Sequence, residues 1–303
     1  MTQAFGVTIQ VVKRVSTIKS MNQNLKKNIG AVILLLATVI FFVIWMNVLV
    51  QRGSITITLV FIAALITALT TGFGAFPFLL KKEIGRSWLG YGNALAGGLM
   101  IGASLGLIFE GTQLGDISFP ALRTFAGILA GLFLVIVAHR ALEKRTEQVS
   151  IGDIEGANAT KMIMIVGIMT AHSFAEGIGV GVSFGESASL GTLITTAIAI
   201  HNIPEGLAIS LVLIPRGAGF IKSMWWSVFS SLPQPLMAVP AFLFVMLFKP
   251  LLPFGLGLAA GAMLWMVFKE LLPEARRELS SLKVYVCIIV TAVGMLVFQM
   301  VAH

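Results

Sequence analysis

The chain has little of what a water-soluble protein places at its surface. Only 11% of its 303 residues are charged, against roughly a quarter in soluble domains, which excludes an ordinary globular domain. It has one cysteine, Cys287, so an intrachain disulfide and any paired-thiol metal motif are excluded. Nor do its apolar stretches alternate with the period of two that membrane barrel strands require. What is abundant is hydrophobicity: 57% of residues, with a mean hydropathy of +0.96, gathered into uncharged runs about as long as the roughly 20 residues a spanning helix needs. In lipid each backbone N–H and C=O must be satisfied within its own segment, so these runs are expected to be helices. The expected fold class is all-α, a polytopic membrane helix bundle.

Nine helices account for the chain. Residues 1–28 hold Lys13, Arg14, Lys19, Lys26 and Lys27 and no acid, and read as a basic cytoplasmic tail. An extra N-terminal transmembrane helix is expected over 29–50. It is longer than the apolar core of a signal peptide and lacks a clear small-x-small cleavage site, so it is expected to be retained. Eight further spans are expected near 55–80, 89–111, 121–142, 161–184, 188–213, 221–248, 251–274 and 282–302, giving one eight-helix domain over 55–303. Only 143–160 is polar enough for a mobile loop.

Threading nine helices with the N-terminus in the cytoplasm puts 17 of the 21 Lys and Arg inside. Arg52, Arg123 and Lys249 fall outside, and Lys269 lies within a helix near its inner end. That asymmetry is the positive-inside pattern of a multi-pass protein of the cell's inner membrane. It accounts for the formal charge of +8 without a nucleic-acid partner, because basic segments gain from the anionic inner leaflet. The C-terminal His303 is then extracytoplasmic.

Two of the expected helices carry acid in their interiors. The stretch 162–185 holds one charge, Glu176, and 187–215 holds Glu205 as its only acid. Each Glu follows a His by four residues, His172 before Glu176 and His201 before Glu205, so each pair shares a helical face. A charge at membrane centre costs about 2.5–3.5 kcal/mol on insertion scales. It is offset by protonation, by a Lys or Arg partner, or by a bound cation. No Lys or Arg lies at comparable depth on these helices. Two imidazoles and two carboxylates supply the nitrogen and oxygen donors that suit a borderline divalent metal. One such pair alone would serve as a packing hydrogen bond with a protonated Glu; two at equal depth on consecutive helices favour the metal. The glycines of 177–185 and Pro204 suit close helix approach and a locally freed carbonyl.

Other uses of intramembrane His and Glu are a proton channel or a proton-coupled carrier of another solute. An intramembrane metalloprotease is a weaker alternative, since its HExxH motif places two His on one helix and each helix here has one. There is no GxSxG either, and an enzyme is not expected.

The two His-x-x-x-Glu-Gly motifs, above all HNIPEGLA at 201–208, resemble the ZIP (Zrt/Irt-like protein) family of divalent metal transporters in its bacterial branch. AGGLMIGAS at 96–104, SSLPQPLMA at 230–238 and GLAAGAMLWMVFKELLPEA at 257–275 agree with it. The resemblance covers about 55–302, and the leading helix resembles that of some bacterial members. It implies that His172, Glu176, His201, Asn202 and Glu205 hold the metal, that Met100 offers a thioether, and that Glu270 lies on a cytoplasmic release route. The implied cargo is Zn²⁺ first, with Cd²⁺, Fe²⁺ or Mn²⁺ as other candidates, moved toward the cytoplasm without a cofactor. A homodimer also accords with the resemblance. Ser173, Asn202 and Gln234 depart from the binuclear form of the pattern, where Asn, Asp and Glu are common. Each change removes charge or a ligand, so one metal site rather than two is expected.

The loop 143–160 lacks the family's histidine cluster. His139, Glu143, Asp153 and Glu155 offer weak metal contacts or form a solvated surface, the second being the better reading. Glu110 and Asp116 fall at the outer end of their helix and loop, where they either attract cations by surface charge or sit as interfacial acids.

Overall fold

A computed structural model describes residues 2–53, 55–80, 85–145 and 157–302. Asp153, Glu155 and His303 lie outside them, and Glu143 is described in backbone only. Among the described residues every regular element is helical. The helices are α1 Thr2–Gln51, α2 Ile57–Thr71, α3 Pro77–Leu80, α4 Arg86–Gln113, α5 Pro120–Arg145, α6 Ala157–Glu186 and α7 Ala188–Leu213. After them come α8 Phe220–Ser231, α9 Pro233–Leu247, α10 Leu252–Met266, α11 Leu272–Glu278 and α12 Ser281–Ala302.

Twelve helices make nine rods because three rods are broken by local chemistry. A 3₁₀ turn at Gly72–Ala75 separates α2 from α3, where glycine lowers helix propensity and Pro77 lacks an N–H. Pro233 opens α9 directly after α8. A π turn at Val267–Leu271 joins α10 to α11. Starts are set by side chains: Thr56 caps α2 by accepting from Leu59 N, and Ser187 caps α7 by accepting from Leu190 N at 3.1 Å. The helix α1 runs unbroken from Thr2, so the basic stretch before residue 29 continues the same helix.

Eight stretches of the described residues are long and apolar enough to cross a bilayer, and α6, whose residues 157–165 are described in backbone only, is the ninth rod. It is a 30-residue helix, about 45 Å at 1.5 Å per residue.

Burial sorts the rods into inner and outer. In an 18-residue apolar window of each span, 78% of residues are buried in 57–79, 72% in 188–216 and in 249–278, and 22% in 25–51 and in 120–141. The first three therefore form the centre, with α6 against α7, α9 and α10. The last two face what surrounds the bundle. Glycines let the central backbones meet. A side chain on Gly206 would run into the Thr71 carbonyl of α2, and one on Gly177 would run into the α9 backbone at Gln234. These two approaches bring α2, α7, α6 and α9 together around one buried point.

Candidate metal site

That point is polar. His172, Ser173 and Glu176 on α6, His201 and Asn202 on α7, and Gln234 on α9 are fully buried, and Glu205 is 2% exposed. Ligand atoms of His172, Glu176 and Glu205 all lie within 4.8 Å of one another. His201 joins them through Glu176, its Nε2 being 2.7 Å from Glu176 Oε1. His172 Nε2 is 3.2 Å from the same oxygen, but neither of its ring nitrogens makes a hydrogen bond within the described residues.

A chain of amides fixes the orientation of Glu176. The Thr67 carbonyl on α2 can only accept, and Asn202 Nδ2 donates to it at 2.8 Å. The same Nδ2 lies 3.3 Å from Gln234 Oε1, to which the Thr67 hydroxyl also donates at 2.5 Å. With its oxygen so placed, Gln234 turns its Nε2 to Glu176 Oε2 and donates at 2.6 Å. Glu176 therefore has one oxygen held by Gln234 and the other by His201, with His172 Nε2 3.2 Å from that same oxygen.

What is left over points to a cation. Both oxygens of Glu205, Asn202 Oδ1, His201 Nδ1, both nitrogens of His172 and the Ser173 hydroxyl are buried without a hydrogen-bond partner among the described residues. Buried polar atoms are ordinarily paired, and a carboxylate with both oxygens bare is costly unless positive charge reaches it. The bare set contains two carboxylate oxygens, imidazole nitrogens and an amide oxygen, a donor set suited to a divalent ion.

Two further expected residues lie on other elements. Met100 is fully buried on α4, and Glu270 is 32% exposed on the π turn. Glu270 Oε1 is 3.2 Å from His139 Nε2, and the His139 ring meets Trp265 edge-on at 5.2 Å. His139 is therefore part of α5, not of the loop after it. Thr67 is the residue that sequence reasoning missed. The signal present for it was a run of hydroxyls, Thr67, Thr70 and Thr71, at the end of an otherwise apolar span.

Comparison with known proteins gives the family. The sequence model of the family described as ZIP Zinc transporter matches residues 138–302, which contain every residue of the buried group except Thr67. The chain belongs to the ZIP family. It is 46% identical over 239 residues to a putative zinc transporter of Arabidopsis thaliana, covering 77% of this chain and 38% of that protein. To zinc transporter GufA of Myxococcus xanthus it is 33% identical, covering 71% of this chain and 88% of that protein. Zinc transporter ZupT of Corynebacterium aurimucosum is 29% identical, with 73% and 88% covered. This ZIP chain thus spans most of two bacterial relatives and less than half of the plant one.

Proposed function

We propose that this ZIP protein carries a divalent metal ion across the membrane toward the cytoplasm, Zn²⁺ first, with Cd²⁺, Fe²⁺ or Mn²⁺ as further candidate cargo. The observation that carries the reading is Glu205, buried with both oxygens bare and with a ligand atom within 4.8 Å of those of Glu176 and His172. The names of its relatives, zinc transporters in a plant and in bacteria, support zinc as cargo.

In this reading His172 is a neutral nitrogen ligand, Glu176 and Glu205 neutralise the ion, and Asn202 Oδ1 completes the oxygen set. His201 Nε2 faces Glu176, which leaves Nδ1 for the metal. Gln234 donates to Glu176, filling one side of that carboxylate with an N–H, which supports a single ion per site. The chain acts as a carrier, making and breaking no covalent bond. Its N-terminus is cytoplasmic and its C-terminus extracytoplasmic in the inner membrane, the orientation that the basic residues favour. Exposure of the site to each face in turn is achieved by one group of helices moving against another. A homodimer is the proposed assembly.

The test is metal uptake into proteoliposomes by the native chain and by Glu176→Ala and Glu205→Ala. Uptake that falls to the level of empty vesicles in both variants is expected. Native rates in both would remove the site from the transport route. A proton carrier predicts acidification of the lumen without any dependence on metal, so a pH-sensitive dye in the same vesicles separates the two readings.

A further inference from the structure

The polar groups around the metal site do not end at Gln234. From its amide oxygen a line of buried hydroxyls leads away along the seam between α2, α7 and α8. The Thr67 hydroxyl donates to Gln234, and Thr71 Oγ1 lies 3.5 Å from the Thr67 carbonyl and 2.8 Å from Ser231 Oγ on α8. Along α8, Ser223, Ser227 and Ser231 recur every four residues and so share one face. All three are fully buried.

The Ser227 hydroxyl donates to the Ser223 carbonyl at 3.1 Å and lies 3.4 Å from the Gly206 carbonyl of α7. That contact sets the antiparallel register of α7 and α8. One turn closer to their connecting turn come Ser210 on α7 and Ser223 on α8, both fully buried. Neither hydroxyl has a hydrogen-bond partner among the described residues.

Serines in membrane helices commonly bond the carbonyl one turn back and permit close packing. Such bonding accounts for Ser227 and for Ser230, which donates to the Ser227 carbonyl at 2.8 Å. It does not account for Ser210 and Ser223. A buried hydroxyl that lacks a protein partner is ordinarily satisfied by water. The end of the seam is also positive: Arg216 follows α7, its side chain turned back to the Val212 carbonyl at 2.8 Å, and the exposed Lys222 precedes Ser223. Positive charge there repels a divalent cation and leaves water free to enter.

We propose that this seam is a water line. Water enters beside Arg216 and Lys222, is held by Ser223 and Ser210, and passes Ser227, Ser231 and Thr71 to reach the polar group around Gln234. The line is separate from the route of the cation, because neutral hydroxyls bind water well and a divalent transition metal poorly. Its use rests on the metal-site reading above: an ion that exchanges hydration for ligands must regain water on release. Its existence does not rest on that reading.

The test is water-radical footprinting of the full chain in lipid nanodiscs without added metal, read by mass spectrometry. Cysteines are placed one at a time in a Cys287→Ala background, so that radicals formed from water oxidise the thiols that water touches. Ser210→Cys, Ser223→Cys and Ser231→Cys are expected to oxidise about tenfold faster than Val228→Cys, since oxidation follows access. Val228 is an equally buried α8 residue that faces Gly72 instead. Adding Ser227→Val in the middle of the line is expected to bring the Ser231→Cys rate down to that of Val228→Cys and to leave Ser223→Cys unchanged. Should the valine variant not fold, Ser227→Thr adds a methyl group in its place. Equal rates at the seam and at Val228→Cys would overturn the proposal, as would oxidation of Ser231→Cys that survives the plug. Because no metal is present, a failed transport assay leaves this result unaffected.

Discussion

Glu176 and Glu205 differ in how the protein treats them. Glu176 is held on one oxygen by Gln234 and on the other by His201, whereas Glu205 has no hydrogen-bond partner among the described residues. Glu205 therefore depends most on the ion, and Glu176 is the prepared ligand. Replacing Gln234 with Met keeps the volume and removes the donor to Glu176. A lost hydrogen bond to a charged group is worth about 1.5–3 kcal/mol, so metal affinity measured by calorimetry should fall by about ten- to a hundredfold. Unchanged affinity would mean that the amide does not orient the carboxylate. Thr67→Val should show a smaller loss in the same direction, with Thr67→Ser close to native, because only the hydroxyl reaches Gln234. The His–Glu pairs were legible in the sequence because two acids interrupt apolar spans at equal depth. Gln234 was legible only as a missing acid, and its role as a donor needed the distance to Glu176. Thr67 was hidden because a threonine in an apolar helix ordinarily bonds its own backbone, as Thr67 also does toward Ala64.

At the scale of the helix, glycine decides how near the ligands come. Gly206 meets the Thr71 carbonyl and Gly177 meets the backbone at Gln234, and each lies one residue past a site Glu. A methyl group at either position forces two backbones apart, and overpacking of this kind costs about 1–3 kcal/mol. Gly206→Ala should therefore lower the thermal unfolding midpoint in detergent and weaken metal binding together, while Gly294→Ala should change neither. Nothing lies within 4 Å of where a side chain at Gly294 would start. Binding at native strength in Gly206→Ala would contradict the link between the α2–α7 approach and the site. The helix count and most boundaries followed from hydropathy, since length and charge are read directly from a chain that must cross lipid. The breaks at Gly72–Ala75 and Val267–Leu271 did not. They depend on how the rods pack, and a π turn leaves no mark in an apolar run. The continuation of α1 back to Thr2 was also missed, because a basic stretch and a helix are compatible in composition.

For the molecule as a whole, a largely apolar outer layer surrounds a centre with acid in it. In the proposed orientation, nine spans place the two termini on opposite faces, with the basic ends of the rods in the cytoplasm. A protease-accessible tag at the N-terminus should be protected in intact cells and one at the C-terminus cleaved; the reverse would invert the direction of transport. Because ligating His and Glu must be deprotonated, metal binding releases protons, and acid competes with the ion. Uptake should fall as the medium is acidified from neutral. A flat profile from neutral to mildly acid conditions would count against imidazole ligands.

The central claim is that two buried acids are tolerable in this bundle because a divalent ion lies between them. Equilibrium zinc binding to the purified chain in nanodiscs tests it most directly, comparing the native protein with a Glu176→Gln/Glu205→Gln double variant that keeps shape and removes charge. The native chain is expected to bind a single ion per chain and the double variant none at the same zinc concentration. Equal stoichiometry and affinity in the two would contradict the account, because the ion would then be held elsewhere.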